Sequence, residues 1–98
     1  MFTSREVMHC KPGRAKDLVA VFKKAAPIMK EFGISDVRIF TDISGANYWT
    51  VVVEQDVRSI DELAELSRKT LTDPRVAEIF RGYHDFVQDG KREIYKRE

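Results

Sequence analysis

The sequence has 98 residues, of which 43% are apolar, and its 17 Lys and Arg residues against 16 Asp and Glu residues give a formal net charge of +1. This length indicates one globular domain over residues 1–98, and the balanced charge argues against a nucleic-acid partner. No apolar run approaches the roughly 18 residues of a membrane span, so we expect a soluble, unprocessed cytoplasmic protein without a membrane partner. Cys10 is the only cysteine, which excludes an intrachain disulfide and a cysteine-based metal cluster within these residues.

The first predicted elements are a strand and a long amphipathic helix. Residues 2–11 favour strand, and Pro12-Gly13 stops the strand and opens a turn. The apolar residues that follow have helical spacing: Ala15, Leu18, Val19, Phe22, Ala25, Ala26, Met29 and Phe32. They predict one apolar stripe along a helix.

Three residues mark where this helix ends or bends. Gly33 is placed to adopt the left-handed conformation that ends a helix, and Ile34 is placed to pack back on Met29. Pro27 lies inside the predicted helix, where it removes a backbone donor and clashes with the preceding turn at a cost of roughly 3 kcal/mol. We therefore expect a kink or a break between Lys24 and Pro27.

A β-hairpin is predicted next. Residues 37–43 alternate with a two-residue period, the turn-forming residues 44–47 follow, and residues 48–54 favour a second strand. In this second strand the alternation groups Trp49 with Val51 and Val53 in an almost continuous apolar row. The row predicts that Trp49 packs in the core.

The remaining sequence predicts two helical segments and a last strand. Ser59 and Glu62 form a capping box at the start of the first segment. Asp73-Pro74 is typical of a helix N-cap followed by the first helical residue, and Gly90 is the predicted end of that second segment. The apolar positions of the two segments are Ile60, Leu63, Ala64 and Leu71, then Val76, Phe80, Tyr83 and Val87. Residues 91–97 are long enough for a fourth strand.

The predicted order of strand, helix, strand, strand, helix pair and strand is that of the ferredoxin-like split βαβ fold. This is an α+β arrangement with both helical layers on one face of an antiparallel four-stranded sheet. The other face would then carry Phe40, Tyr48, Val52 and Tyr95, a patch too apolar to leave in water for so small a domain. A second copy of the chain covers such a patch with one self-complementary surface. We therefore predict a homodimer with the two sheets face to face.

Four segments of the chain are similar to those of a known superfamily. They are residues 11–14 at the mouth of the first helix, Phe32-Gly33-Ile34, the hairpin entering residues 49–52, and Asp73-Pro74-Arg75 leading to Gly90. With these segments the chain resembles the dimeric α+β barrel superfamily, and within it the NIPSNAP-like and antibiotic-biosynthesis monooxygenase-like branches. The resemblance implies a dimeric α+β barrel. Such families include cofactor-free oxygenases of polyphenols, haem-degrading enzymes and many members without known activity.

The strand face around Arg38 is the predicted ligand-binding surface. It combines aromatic rings with a hydroxyl, a guanidinium and carboxylates, and small-molecule cavities need such apolar walls with a few placed polar groups. Its residues are Arg38, Phe40, Tyr48, Thr50, Val52 and Tyr95. A dimer interface that pairs Arg38 with Glu54 and holds no ligand explains the same residues equally well.

Two histidines complete the set of candidate site residues. His9, in the first strand, is interpreted as a hydrogen-bonded or rim histidine, with a catalytic base as the alternative. His84, on the last helix, is similar in type to the helical axial ligand of the haem-degrading proteins that the fold resembles, although Pro74 stands where those proteins have a Trp. A solvated helix edge is the simpler explanation of His84. Cys10 is interpreted as a small buried hydrophobe rather than a nucleophile.

The sequence leaves three hypotheses for function. The first is a homodimeric barrel whose cavity binds a small aromatic or carboxylated molecule, with cofactor-independent oxygenation as its enzymatic form. The second is a non-catalytic structural or regulatory dimerisation module. The third is a haem-binding or haem-degrading protein. We predict no metal and no cofactor, and the sequence assigns no catalytic residue.

Overall fold

The computed structural model describes residues 1–34 and 36–98. Within these residues the strands are β1 (Phe2–Cys10), β2 (Arg38–Thr41), β3 (Thr50–Val57) and β4 (Val87–Lys96), and the helices are α1 (Ala15–Glu31), α2 (Ile60–Thr72), α3 (Pro74–Ile79) and α4 (Tyr83–Phe86). The strands form one antiparallel sheet in the order β2-β3-β1-β4. The helices cover one face of this sheet, which confirms the predicted ferredoxin-like α+β fold. Of the helices in this part of the chain, none is long and apolar enough to cross a membrane.

One face of the sheet carries the hydrophobic core. The register pairs Met8 with Val51 across β1 and β3, and these side chains pack against Leu18 and Phe22 of α1. A second cluster joins β3 to α1 and α2, and its buried members are Ala25, Met29, Ile34, Val57, Leu63 and Leu66. Full burial of a large apolar side chain contributes about 1.5–3 kcal/mol. The two clusters therefore fix how the helices lie on the sheet.

Helix α1 ends as the sequence predicts. The amide of Ile34 donates to the carbonyl of Met29 at 3.0 Å, and the amide of Gly33 donates to the carbonyl of Lys30 at 3.0 Å. Gly33 itself adopts a φ of 96°, the left-handed conformation that the sequence predicts for it. This pair of bonds is a Schellman motif, which satisfies carbonyls that the end of a helix otherwise leaves without partners.

Of the kink or break predicted between Lys24 and Pro27, the break is wrong, because the helix is continuous from Ala15 to Glu31. Pro27 is exposed, so solvent can hydrate the carbonyl that loses its helical partner. The flanking residues Ala25 and Met29 are buried in the second core cluster. Packing of this face outweighs the local cost of a proline inside the helix.

The starts of α2 and α3 follow the predicted capping signals. Ser59 Oγ accepts from the Glu62 amide at 3.0 Å, and Asp73 Oδ1 accepts from the Arg75 amide at 2.8 Å. The Glu62 carboxylate accepts from the amide of Arg58 at 2.7 Å, one residue before the Ser59 amide that a capping box would use. Both caps satisfy amides that the first turn of a helix leaves without partners.

The second helical segment ends earlier than predicted. Gly82 adopts φ 86° between α3 and α4, and β4 begins at Val87, so the predicted helix end at Gly90 is wrong. Gly90 instead lies inside β4 opposite Met8. A Cβ added there would lie 3.1 Å from the carbonyl oxygen of Val7. The close approach of the neighbouring backbone explains why a glycine stands inside this strand.

The connection between β2 and β3 is longer than the predicted hairpin turn. β2 covers only residues 38–41, and β3 begins at Thr50. Trp49 adopts φ 64° and is 42% exposed, so the prediction that it packs in the core is wrong. The Asp42 carboxylate accepts from the Thr50 amide at 2.8 Å, and the Thr50 hydroxyl donates to the Asn47 carbonyl at 2.5 Å. These two bonds close the loop and delay the start of the strand.

Candidate functional site

A cleft of about 770 Å³ lies between the sheet and the helices. Its floor is the helix-facing side of β1, β3 and β4, and its walls come from α1, α2, α3 and the turn leading into α4. Helices α1 and α2 lie mainly over β2 and β3, whereas β4 is approached chiefly by the short helix α4. This arrangement leaves space above β1 and β4.

Four polar side chains line the floor of the cleft. Ser4 stands opposite Gln55 across β1 and β3, and Glu6 stands opposite Arg92 across β1 and β4. The Arg92 guanidinium donates to the Glu6 carboxylate, so the two charges neutralise each other. Gln55 Oε1 is enclosed and has no hydrogen-bond partner among the described residues, whereas most buried polar atoms are paired. The floor therefore offers hydrogen-bonding groups at low net charge.

The walls of the cleft are mainly apolar. They include the side chains of Phe22, Met29, Leu66, Leu71, Val76 and Phe80. The rings of Phe22 and Phe80 meet edge to face, with their centroids 5.3 Å apart, and such pairs contribute beyond the area that they bury. This contact holds α1 against the residue that follows α3.

Tyr83 and His84 lie at the mouth of the cleft, after the left-handed Gly82. Tyr83 is half-buried, and its pKa is raised first by burial and then by the negative charge of Glu6. Its ring stands edge-on to the exposed ring of His84, with the centroids 5.4 Å apart. A phenol with a raised pKa stays protonated at neutral pH, so Tyr83 can donate a hydrogen bond into the cleft.

The opposite, open face of the sheet carries an ion-pair network that crosses all four strands. Arg38 of β2 donates to Asp56 at 3.1 Å and to Glu54 at 3.4 Å, both on β3. Arg5 Nε of β1 lies 2.9 Å from Glu54 Oε2, although its N–H is not directed at that oxygen. Arg5 Nη1 lies 3.4 Å from Glu93 Oε1 of β4. The hydrogen bond from Arg38 lowers the pKa of Asp56, and Asp56 in turn raises the pKa of Arg38.

Most of the residues predicted to bind a ligand lie on this open face, away from the cleft. They are His9 of β1, Arg38 and Phe40 of β2, Thr50 and Val52 of β3, and Tyr95 of β4. The register brings Phe40 beside Val52, whereas Tyr95 stands on the far strand. His9 Nδ1 lies 2.6 Å from Asp89 Oδ1, so His9 is a hydrogen-bonded histidine.

The two other predicted residues lie elsewhere. Tyr48 is 85% exposed in the loop before β3 and does not belong to the sheet face. His84 is the one predicted site residue that lines the cleft. Cys10 is buried as predicted, and burial raises the pKa of its thiol. Among the described residues, no three His, Cys, Asp or Glu side chains are grouped so as to hold a metal ion.

The polar floor of the cleft is missing from the sequence-based predictions. The signal that could have found it is the two-residue period of β1, because Ser4 and Glu6 share the face of the buried Met8 and Cys10. Once Met8 is assigned to the core, Glu6 must lie beneath the helices, where a carboxylate needs a partner. That partner, Arg92, follows from the register of β4, which the sequence does not supply.

Comparison with known proteins finds solved structures of similar fold. No protein-family model matches the chain, and neither does any curated protein. A NIPSNAP family protein with unknown function from Agrobacterium tumefaciens superimposes with a TM-score of 0.83 at 17% identity, covering 99% of this chain and 87% of that one. An uncharacterized NIPSNAP domain protein from Burkholderia xenovorans gives a TM-score of 0.84 at 12% identity, and the match covers 100% of this chain and 95% of that one. A candidate antibiotic biosynthesis monooxygenase from Deinococcus radiodurans gives a TM-score of 0.71 at 15% identity, and the match covers 100% of this chain and 93% of that one.

Proposed function

We propose that this protein is a homodimeric barrel that binds a small, partly apolar molecule in the cleft between its sheet and its helices. The observation that carries the proposal is the cleft itself. Its volume of about 770 Å³ falls within the range of roughly 300–1,000 Å³ that is usual for small-molecule sites. Apolar walls with a few polar groups are the combination that such sites use. The proposed ligand site is thus the cleft, and the open face is left for dimerisation.

The open face of the sheet supports the dimer part of the proposal. Phe40 and Tyr95 are 48% and 50% exposed at the two edges of this face, and the half-buried Val52 lies between them. A two-fold contact covers such a surface with one self-complementary patch. The charged groups around these side chains are already paired with one another, so covering them leaves no isolated charge.

A more specific form of this proposal is that the protein is an enzyme that acts on the bound molecule. The resemblance implies cofactor-independent oxygenation of a small aromatic compound, and one neighbour in fold is named as a candidate antibiotic biosynthesis monooxygenase. A dimerisation module without a ligand is the alternative. The two functions differ in what the purified protein carries, and in whether oxygen is consumed when the recovered molecule is added back.

Native mass spectrometry of the untagged protein as purified tests the proposal, because it weighs the assembly and any bound molecule together. We expect a dimer with extra mass on each subunit. Ala77→Trp should remove this mass, because the new ring fills the cleft from α3. Ala64→Trp, on the exposed side of α2, is the matched control and should keep it. A monomer would contradict the dimer, and a dimer that neither carries nor takes up a small aromatic compound would favour the dimerisation module.

A further inference from the structure

We propose that the cleft selects an uncharged, amphipathic ligand that donates hydrogen bonds to Glu6 and Gln55 while its apolar body faces the helices. This inference rests on the proposed function, because it names the class of ligand for the same cleft. Three features support it: the division between a polar floor and apolar walls, the neutralised charge of the floor, and the amide of Gln55.

The floor of the cleft is mainly polar, and the walls that α1, α2 and α3 form above it are mainly apolar. The floor carries Ser4, Glu6, Gln55 and Arg92 on three neighbouring strands. The lining side chains of α1, α2 and α3 above this floor are mainly apolar, whereas Arg81, His84 and Asp85 add polar groups at the mouth. A ligand that fills both halves must therefore be amphipathic, with polar groups along one edge and an apolar body along the other.

The floor favours a ligand without net charge. The Arg92 guanidinium donates to Glu6 Oε1, and both side chains face the cleft. An anionic ligand would compete with Glu6 for Arg92 and would be repelled by that carboxylate, whereas a cationic ligand at Glu6 would be repelled by Arg92. A neutral hydroxyl or amide N–H can instead donate to Glu6 Oε2 while the ion pair through Oε1 stays intact.

Gln55 supplies the second contact. It stands on β3 opposite Ser4, and its enclosed Oε1 has no hydrogen-bond partner among the residues that the structure describes. An enclosed carbonyl oxygen without a partner costs free energy, which a donor from a ligand can recover. Because no hydrogen bond to the described residues holds Oε1 in place, rotation about the terminal torsion of Gln55 can turn this oxygen toward the cleft that the side chain lines, where it can accept such a bond.

Three probes with the same two-ring body test this selectivity by calorimetric titration at neutral pH. Beta-naphthol is uncharged and donates a hydrogen bond, its methyl ether only accepts one, and beta-naphthoate is an anion. We expect naphthol to bind about tenfold more tightly than the ether, which is the effect of one hydrogen bond to a charged acceptor. Naphthoate should bind more weakly than naphthol.

Glu6→Gln keeps the shape of the side chain but removes the charge that neutralises Arg92. We expect this variant to bind naphthoate about fivefold more tightly than the natural protein, because Arg92 can then pair with the anion. The preference for naphthol over the ether should shrink, and it should also shrink in Gln55→Leu. Glu65→Gln makes the same charge change on the exposed surface of α2 and should leave all three affinities unchanged.

The outcomes separate this inference from the proposed function. Equal binding of the three probes, or a preference for naphthoate that Glu6→Gln leaves unchanged, overturns the ligand class while the cleft remains a binding site. If no probe binds and Ala77→Trp removes no bound mass, the inference and the proposed function both fail. If Glu6→Gln does not fold, Arg92→Gln carries the test, because it should weaken naphthoate binding further and strengthen that of beta-naphthylmethylammonium.

Discussion

Arg38 and Asp56 form a two-pronged ion pair across β2 and β3, in which Nη2 donates to Oδ1 at 3.1 Å and Nη1 donates to Oδ2 at 3.4 Å. The hydroxyl of Thr3 on β1 donates to the same carboxylate at 2.9 Å. These bonds lower the pKa of Asp56, with the hydrogen bond from Arg38 as the largest cause. One carboxylate thus joins three strands on the open face.

Asp56 is therefore expected to contribute stability that depends on pH. Because its pKa is lower in the folded chain than in the unfolded one, the contribution is complete above the unfolded value of about 4 and is lost as pH falls through the folded value. Asp56→Asn should lower the free energy of unfolding by about 1 kcal/mol at neutral pH. In strong acid the variant and the natural protein should differ little. Urea denaturation followed by circular dichroism at both pH values measures the change.

Asp36→Asn is the matched control for this prediction. Asp36 accepts from the same guanidinium at 2.9 Å, but its side chain is 76% exposed, so solvent screens the pair. Its loss should change the free energy of unfolding much less than Asp56→Asn does. Equal effects of the two variants at neutral pH, or an effect of Asp56→Asn that grows toward acid pH, would contradict the role given to Asp56.

The proposed dimer places Phe40 at its interface, because this half-exposed ring lies on the open face beside Val52. Phe40→Glu would put an unpaired charge into the contact and should convert the dimer to a monomer. Analytical ultracentrifugation measures this change. Ile43→Glu, at a loop residue that is 96% exposed, is the control and should leave the dimer intact. A dimer that survives Phe40→Glu would show that the open face is not the interface.

The fold could be predicted from the sequence because its main signals act over a few residues. Gly33 and Ile34 end α1, and Asp73 caps α3, through bonds to amides and carbonyls of the same turn. Such signals do not depend on distant parts of the chain. The order of elements that they define then favours the ferredoxin-like sheet, and the structure has that sheet.

Two glycines show why other boundaries could not be predicted. Gly82 makes a left-handed turn, whereas Gly90 lies in β4 against the backbone of Val7. The sequence does not separate a glycine that is needed for positive φ from one that is needed for close approach. The second requirement depends on a strand from the other end of the chain, so the helix end was assigned to the wrong glycine.

The candidate site could be predicted only in part, because both faces of β1 mix polar and apolar residues. Ser4, Glu6 and Met8 share one face, whereas Arg5 and Val7 share the other. A two-residue period groups the residues of each face without saying which face the helices cover. The sequence therefore identified residues that share the open face, while the cleft lies on the face of Met8.

Gly82 sets the position of Tyr83 and His84 at the mouth of the cleft. It adopts φ 86°, a conformation that costs other residues about 1–2 kcal/mol. An added Cβ would meet only ordinary contacts, with Asp85 Oδ2 at 3.6 Å and Phe86 Cζ at 3.8 Å. The cost of Gly82→Ala is therefore a backbone cost, and we expect it to lower the free energy of unfolding by about 1 kcal/mol.

Gly45→Ala separates the stability effect of this change from its effect on the cleft. Gly45 adopts the same φ of 86° in the exposed loop between β2 and β3, with open space where a Cβ would lie, so its variant should lose a similar amount of stability. Only Gly82→Ala should also weaken naphthol binding severalfold, because the turn that it distorts carries Tyr83 to the cleft. Urea denaturation and calorimetric titration of both variants measure the two effects. If Gly45→Ala weakens binding as much as Gly82→Ala, the loss comes from stability alone, and the turn at Gly82 does not shape the site.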